Sequence, residues 1–219
     1  MRIRKPQAFL LAAVIAGGSA LAACGGSSST ESTLAPVTEA PSTTAGGSTT
    51  TTEPGPGVPT LAPGAPLPSL VPFSKADAKK EEAATVVGKI SIPKIGLKDM
   101  QMYLGYSDGT YDKGVGLWPG APKPGEAGNV VLGGHRTSGP KPFRRVDELA
   151  AGDEVVVTTA DGTFVYVVEG VAVYPASEAA NVVLAQTSSA KMTMFACHPP
   201  GKVTHRIVVF TNYSRKVAV

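Results

Sequence analysis

The chain has 219 residues, a formal charge of +3, a pI near 8.8 and 42% hydrophobic residues. Its 20 lysines and arginines are scattered, and no basic stripe interleaved with aromatics marks a nucleic-acid footprint. There are two cysteines, Cys24 and Cys197, so if the first is consumed by modification the second has no intramolecular partner.

The chain opens on MRIRKPQAFLLAAVIAGGSALAACGG. Arg2, Arg4 and Lys5 form a positive start, and the apolar run from Phe9 to Ile15 is too short to span ~30 Å of hydrocarbon. Leu21-Ala22-Ala23-Cys24 resembles the lipobox of a bacterial lipoprotein. The resemblance implies a signal peptide over 1–23, with Cys24 as the lipidated first residue of the mature chain. The competing expectation is an ordinary signal peptide with a cysteine near its cut site. Two acyl chains on Cys24 meet the two-signal requirement for stable anchoring. The resemblance then implies a place on the outer face of the bacterial cytoplasmic membrane, with the domain projecting into the cell wall.

Residues 24–73 are rich in Ser, Thr, Gly and Pro and poor in large apolar side chains. Such a segment cannot bury enough surface to offset chain entropy, so it is expected to be a disordered tether. It averages roughly 35–42 Å end to end as a coil and about 150 Å as polyproline II. SKADAKKEEAATVVG then predicts a helical arm over 74–87, with Ser74 as N-cap and Asp77 at the capping-box position.

From Gly88 onward the pattern favours strand. GKISIPKIGL alternates apolar and polar residues, and Pro93 demands an edge or a bend. NVVLGGH is a short apolar run ending at a glycine pair. DEVVVTTADGTFVYVVEGVAVY reads as two β-branched strands joined at Asp161-Gly162. PFRRVDELAAGD reads as one helical turn closed by Gly152. AKMTMFAC and HRIVVFTN supply two more strands. Short strands at this spacing predict one mainly β domain over 88–213, a closed or nearly closed barrel, with a tail over 214–219. Such a domain is long enough to bury roughly two thirds of its unfolded surface.

Three polar residues stand at predicted strand ends: His135 after VVLGG, Cys197 after KMTMFA, and Arg206 before IVVF. Loops at strand ends are where a rigid scaffold presents chemistry. Together the three suit acyl transfer. A thiolate attacks a carbonyl, an imidazole moves the proton, and a guanidinium holds the developing oxyanion or the peptide backbone. Each also has a bland reading: a small buried cysteine, a hydrogen-bonded turn histidine, a surface arginine. His198 and His205 compete with His135, but His198 follows Cys197 on a strand and should face the opposite side.

GNVVLGGHRTSGPKPFRRVDELAAGDEVVVTTADGTFVYVV and MTMFACHPPGKVTHRIVV, with ISIPKIGL and GVGLWPGAPKPGEAGN upstream, are similar to a sortase, most like the class E type of actinobacteria. The resemblance covers about 88–213. It implies a single eight-stranded sortase-like β-barrel with short helices, and it matches His135, Cys197 and Arg206 to the sortase catalytic residues. It further implies a cysteine transpeptidase that cleaves an LPXTG- or LAXTG-like signal between Thr and Gly through a thioester. The partners it implies are surface proteins with C-terminal sorting signals, and a peptidoglycan-precursor or pilin amine as acceptor. No cofactor and no metal is implied, and no nucleic acid.

Two positions depart from the family pattern: Ala196 replaces the usual threonine before the cysteine, and Gly139 stands where class E members often carry a tyrosine. They keep open an alternative, a catalytically weak or inactive sortase-fold lipoprotein acting as an envelope binding module. Other chemistries fit less well. The Ser-His-Gly-Cys block of L,D-transpeptidases is missing, papain-like peptidases place their cysteine early and on a helix, and a zinc site from Cys197, His198 and His205 lacks a fourth ligand.

Overall fold

Apolar alternation along the strands wraps the chain of this computed structural model around one core. Residues 57–80 and 83–218 are described, all within the unit Thr50–Val219. The signal segment, Cys24 and the tether up to residue 56 lie outside the described residues.

The strands are β1 (Val86–Ile92), β2 (Leu97–Leu104), β3 (Val115–Leu117), β4 (Gly128–Gly133), β5 (Glu154–Thr159), β6 (Gly162–Pro175), β7 (Ala190–His198) and β8 (His205–Val217). They close into a barrel in the order β1-β2-β3-β4-β7-β8-β6-β5, as expected of a mainly β, eight-stranded fold. β2 pairs parallel with β3 and β4 parallel with β7, whereas the other pairs are antiparallel. Two short helices, α1 (Asp108–Tyr111) and α2 (Ala176–Val183), flank the wall.

Period-2 alternation puts Met192, Met194 and Ala196 of β7 in the barrel core with Ile207 and Val209 of β8. β4 is buried along its whole length, its two faces feeding two clusters. Val130 and Leu132 fill the barrel, and Val131 packs outside it with Tyr106, Trp118, Val183 and Val208. Each fully buried Val or Leu contributes about 1.5–3 kcal/mol relative to exposure. The outer cluster fixes α2 and the aromatic residues beside the strand ends where the site lies.

The turns follow their sequence signals with small shifts. Pro93–Ile95 forms a 3-10 turn that bends β1 into β2, closed by Gly96 in the left-handed region at φ 71°. The β5–β6 hairpin turns on Ala160-Asp161, one residue earlier than expected, because Gly162 already pairs with Thr159. Asp161 N donates to Thr159 Oγ1 at 3.1 Å and steadies that turn. The predicted turn in PFRRVDELAAGD is the 3-10 helix Val146–Glu148.

Three boundaries differ from expectation. The segment from residue 57 is laid against the domain rather than free. Thr60 bridges Ser189, Ala190 N donates to Pro59 O, and Trp118 Nε1 donates to Val71 O at 2.7 Å. This strap has no core of its own and uses the domain's groups instead. The helical arm over 74–87 reduces to the 3-10 turn Asp77–Lys79. Ser74 Oγ does accept from Asp77 N at 3.3 Å, and Asp77 pairs with Lys80. A segment this short and polar cannot sustain a helix by itself, and its end gains more from the β1 ladder. Finally, the expected tail is strand, since β8 pairs with β6 as far as Val217↔Thr163.

Candidate active site

The site is built at the ends of β4, β7 and β8. β4 delivers His135 through the pair Gly133-Gly134. A Cβ on Gly133 would stand 2.3 Å from Tyr111 Oη and 2.8 Å from Phe195 Cζ, and one on Gly134 would stand 2.9 Å from the Phe143 ring. The glycines let these rings close on the strand end and hold the backbone that carries His135.

β7 delivers Cys197, a half-buried free thiol. Its cross-strand neighbour on β8 is Arg206. His135, Cys197 and Arg206 all open on one cleft of about 210 Å³. The structure therefore brings together the three residues singled out in the sequence. The apolar part of the cleft comes from Phe73 of the strap, Tyr106, Trp118, Phe195 and the Ala179–Val183 face of α2. Tyr106 and Trp118 stack with centroids 4.2 Å apart and planes within 10°.

His135 and Arg206 are also held outside the cleft. His135 Nε2 lies 3.2 Å from Asp112 Oδ1, and its ring meets Tyr111 edge-on at 5.8 Å. Arg206 Nη1 donates to Val203 O and His205 O, each at 2.9 Å, which folds the guanidinium onto the β7–β8 loop.

The other two histidines stand apart. His198 alternates to the far side of β7 and accepts from Arg136, and His205 Nδ1 lies 3.0 Å from Thr204 Oγ1. Cys197, His198 and His205 therefore do not converge as zinc ligands. Beyond Arg136 is a larger hollow of about 450 Å³, lined by Lys141, Arg144, Arg145, Asp147 and Glu148. It holds neither thiol nor histidine, so the smaller cleft is the one equipped for acyl transfer. Arg136 is buried and pairs with Asp147 at 2.5 Å. Burial pushes the Asp147 carboxyl up, but its hydrogen bond to Arg136, a backbone bond and nearby positive charge outweigh this and hold it below its ordinary 3.8.

Asp112 and the aromatic wall have no local signature in the sequence, because they reach the site from the end of α1, the strap and distant strands. The two departures acquire definite places. Ala196 is 1% exposed and packs inside the barrel, so a hydroxyl on its side chain would face away from the thiol's side of β7. Gly139 has φ 54°, and a Cβ there would stand 3.2 Å from Asp112 Cα, against the residue that holds His135.

A closed eight-stranded barrel thus opens a free thiol, an imidazole and a guanidinium on one cleft. Residues 90–214, more than half of the chain, match the sortase domain, and the chain belongs to the sortase family. Membership carries cysteine transpeptidase chemistry. Among curated relatives, sortase D of Bacillus subtilis (strain 168) is 27% identical over 138 residues, covering 63% of this chain and 67% of that protein. Sortase C of Streptococcus pneumoniae superposes with TM-score 0.59 at 23% identity, covering 69% of this chain and 84% of the other, a likeness of fold. Sortase C-1 of Actinomyces oris superposes with TM-score 0.53 at 28% identity, covering 58% and 73%.

Proposed function

We propose that Cys197 is the nucleophile, His135 the general acid and base, and Arg206 the oxyanion or backbone clamp of a sortase that cuts a sorting signal between Thr and Gly. The observation that carries this reading is the opening of all three side chains on one cleft. Cys197 Sγ attacks the threonine carbonyl carbon, and the carbonyl electron pair moves onto oxygen. The tetrahedral species collapses, the C–N bond breaks, and the glycine nitrogen leaves with a proton from His135. An amine then attacks the thioester, gives its proton to His135 and releases the Cys197 thiolate. With Nε2 of His135 on Asp112, Nδ1 is the nitrogen left for these transfers.

Arg206 serves this chemistry by leaving its loop carbonyls for the substrate as charge develops. The signal is LPXTG- or LAXTG-like, and the acceptor is an amine of peptidoglycan precursor or of another protein such as a pilin. The sequence motifs resemble those of class E sortases, and Leu21-Ala22-Ala23-Cys24 supports a lipid anchor on the outer membrane face. Gly139, packed against Asp112 where class E members often carry a tyrosine, favours a second reading, a catalytically weak or inactive envelope binding module.

A panel of threonine- and glycine-containing peptides, incubated with the full chain and an amine, tests the reading. The expected products are a fragment ending in Thr joined to the amine and a released Gly-initiated fragment. Tight peptide binding without cleavage is the result of the binding-module reading. Metabolic labelling with a fatty acid tests the anchor, with label expected on the wild-type chain and absent from Cys24→Ser. Equal label on both contradicts it.

A further inference from the structure

Arg136 and His198 each follow one of the proposed reacting residues, and neither lines the cleft. Their side chains meet, Arg136 Nη1 to His198 Nδ1 at 2.7 Å. Arginine carries donors only, so in this contact His198 Nδ1 is the acceptor. Arg136 has no slack elsewhere. It is 2% exposed, its Nε donates to Arg144 O at 3.3 Å, and its Nη2 pairs with Asp147 Oδ1.

The register gives this contact its meaning. β4 and β7 run parallel from Gly128↔Ala190 to Gly133↔Phe195, where their ladder ends. Every pair keeps one sequence offset, and Arg136 and His198, 62 residues apart, keep it too. His135 and Cys197 share that offset. They lie between the last backbone pair and the side-chain contact, on the opposite face from it.

We propose that the Arg136–His198 hydrogen bond, braced by Asp147, is a side-chain rung that continues the β4–β7 ladder past its end and sets the spacing of the imidazole and the thiol. Arg136 and His198 are then positioning residues for acyl transfer, an inference that rests on the roles given to Cys197 and His135 above. Without the rung, both strand ends run into loops, and the two reacting groups lose their common register. Reaction geometry tolerates little such drift, because a displacement near 1 Å costs on the order of 100-fold in rate.

The test compares full-chain wild type, His198→Ala and His198→Asn for thioester formation with a sorting peptide and turnover with an amine. Asn places a carboxamide oxygen near the position of Nδ1 and keeps an acceptor for Arg136. The rung predicts that His198→Ala lowers kcat by roughly 10- to 100-fold with KM within about 3-fold, and that His198→Asn recovers most of the loss. A His198→Ala enzyme with wild-type kcat, or a folded His198→Asn enzyme as slow as His198→Ala, overturns the rung while leaving Cys197 in its role. A wild-type chain that forms no thioester overturns the assignment of Cys197 and the rung's function with it. If His198→Ala does not fold, nitrogen NMR of the wild type decides, since the chain has only three histidines to assign. A neutral His198 protonated at Nε2 is expected, and a proton on Nδ1 overturns the contact.

Discussion

Tyr166 and Asp112 show how burial sets the worth of a single side chain. Tyr166 is fully buried and its hydroxyl accepts from Gly125 N at 2.8 Å. Desolvation dominates over that bond and pushes the phenol up to about 12. A raised phenol pKa favours the neutral form in the fold, so its contribution is complete below pH 10 and is lost as pH climbs toward 12. Two units correspond to about 2–3 kcal/mol. Thermal midpoints should therefore fall between pH 10 and 12 in the wild type, and Tyr166→Phe should flatten that fall while losing about 1 kcal/mol at neutral pH. Asp112 is the opposite case. It is largely exposed, and its contact with His135 is screened by water. Asp112→Asn should slow turnover only about 2- to 5-fold, the equivalent of 0.4–1 kcal/mol. His135→Ala should slow it about 100- to 10,000-fold. Equal losses from both variants would make the carboxylate a partner in catalysis rather than a support.

The strap and β8 are the elements whose extent differs most from the sequence pattern, and for related reasons. Residues 57–73 have the composition of a tether, yet their backbone groups and ring surfaces are completed by Trp118, Ser188 and Ala190 on the domain. Composition reports what a segment can bury by itself, not what a neighbouring surface offers it. Phe73 lies 6.1 Å from the Tyr106 ring and 6.3 Å from Trp118, so the strap also walls the cleft. Trp118→Phe keeps the stack but removes the donor to Val71 O. It should cost about 1 kcal/mol and speed proteolysis ahead of residue 74, with protease sites inside the barrel unchanged. Unchanged cleavage of the strap would mean that the Trp118 bond does not hold it. β8 outlasts its apolar pattern because a backbone ladder to β6 continues under Ser214, Arg215 and Lys216, whose side chains carry no core signal.

At the scale of the molecule, much of the barrel was legible because its strands alternate or run apolar on their own account, as in KMTMFA, RIVVF and the pair around Asp161-Gly162. His135, Cys197 and Arg206 were legible because each stands where such a run stops. Asp112, the Arg136–His198 contact and the aromatic wall were not, because they depend on which strands become neighbours. The parallel β4–β7 pairing joins residues 62 apart, and no local spacing encodes it. Gly139 shows the same limit, as its conformation is tied to Asp112 across the fold.

In the proposed chemistry the cleft makes Cys197 an acyl carrier. Intact mass spectrometry of the full chain mixed with a cleavable sorting peptide measures it directly. An added mass equal to the fragment ending in Thr is expected on Cys197, released by an added amine and missing from Cys197→Ala. Cleavage of the peptide by Cys197→Ala at the wild-type rate, or the adduct on any other residue, would contradict it.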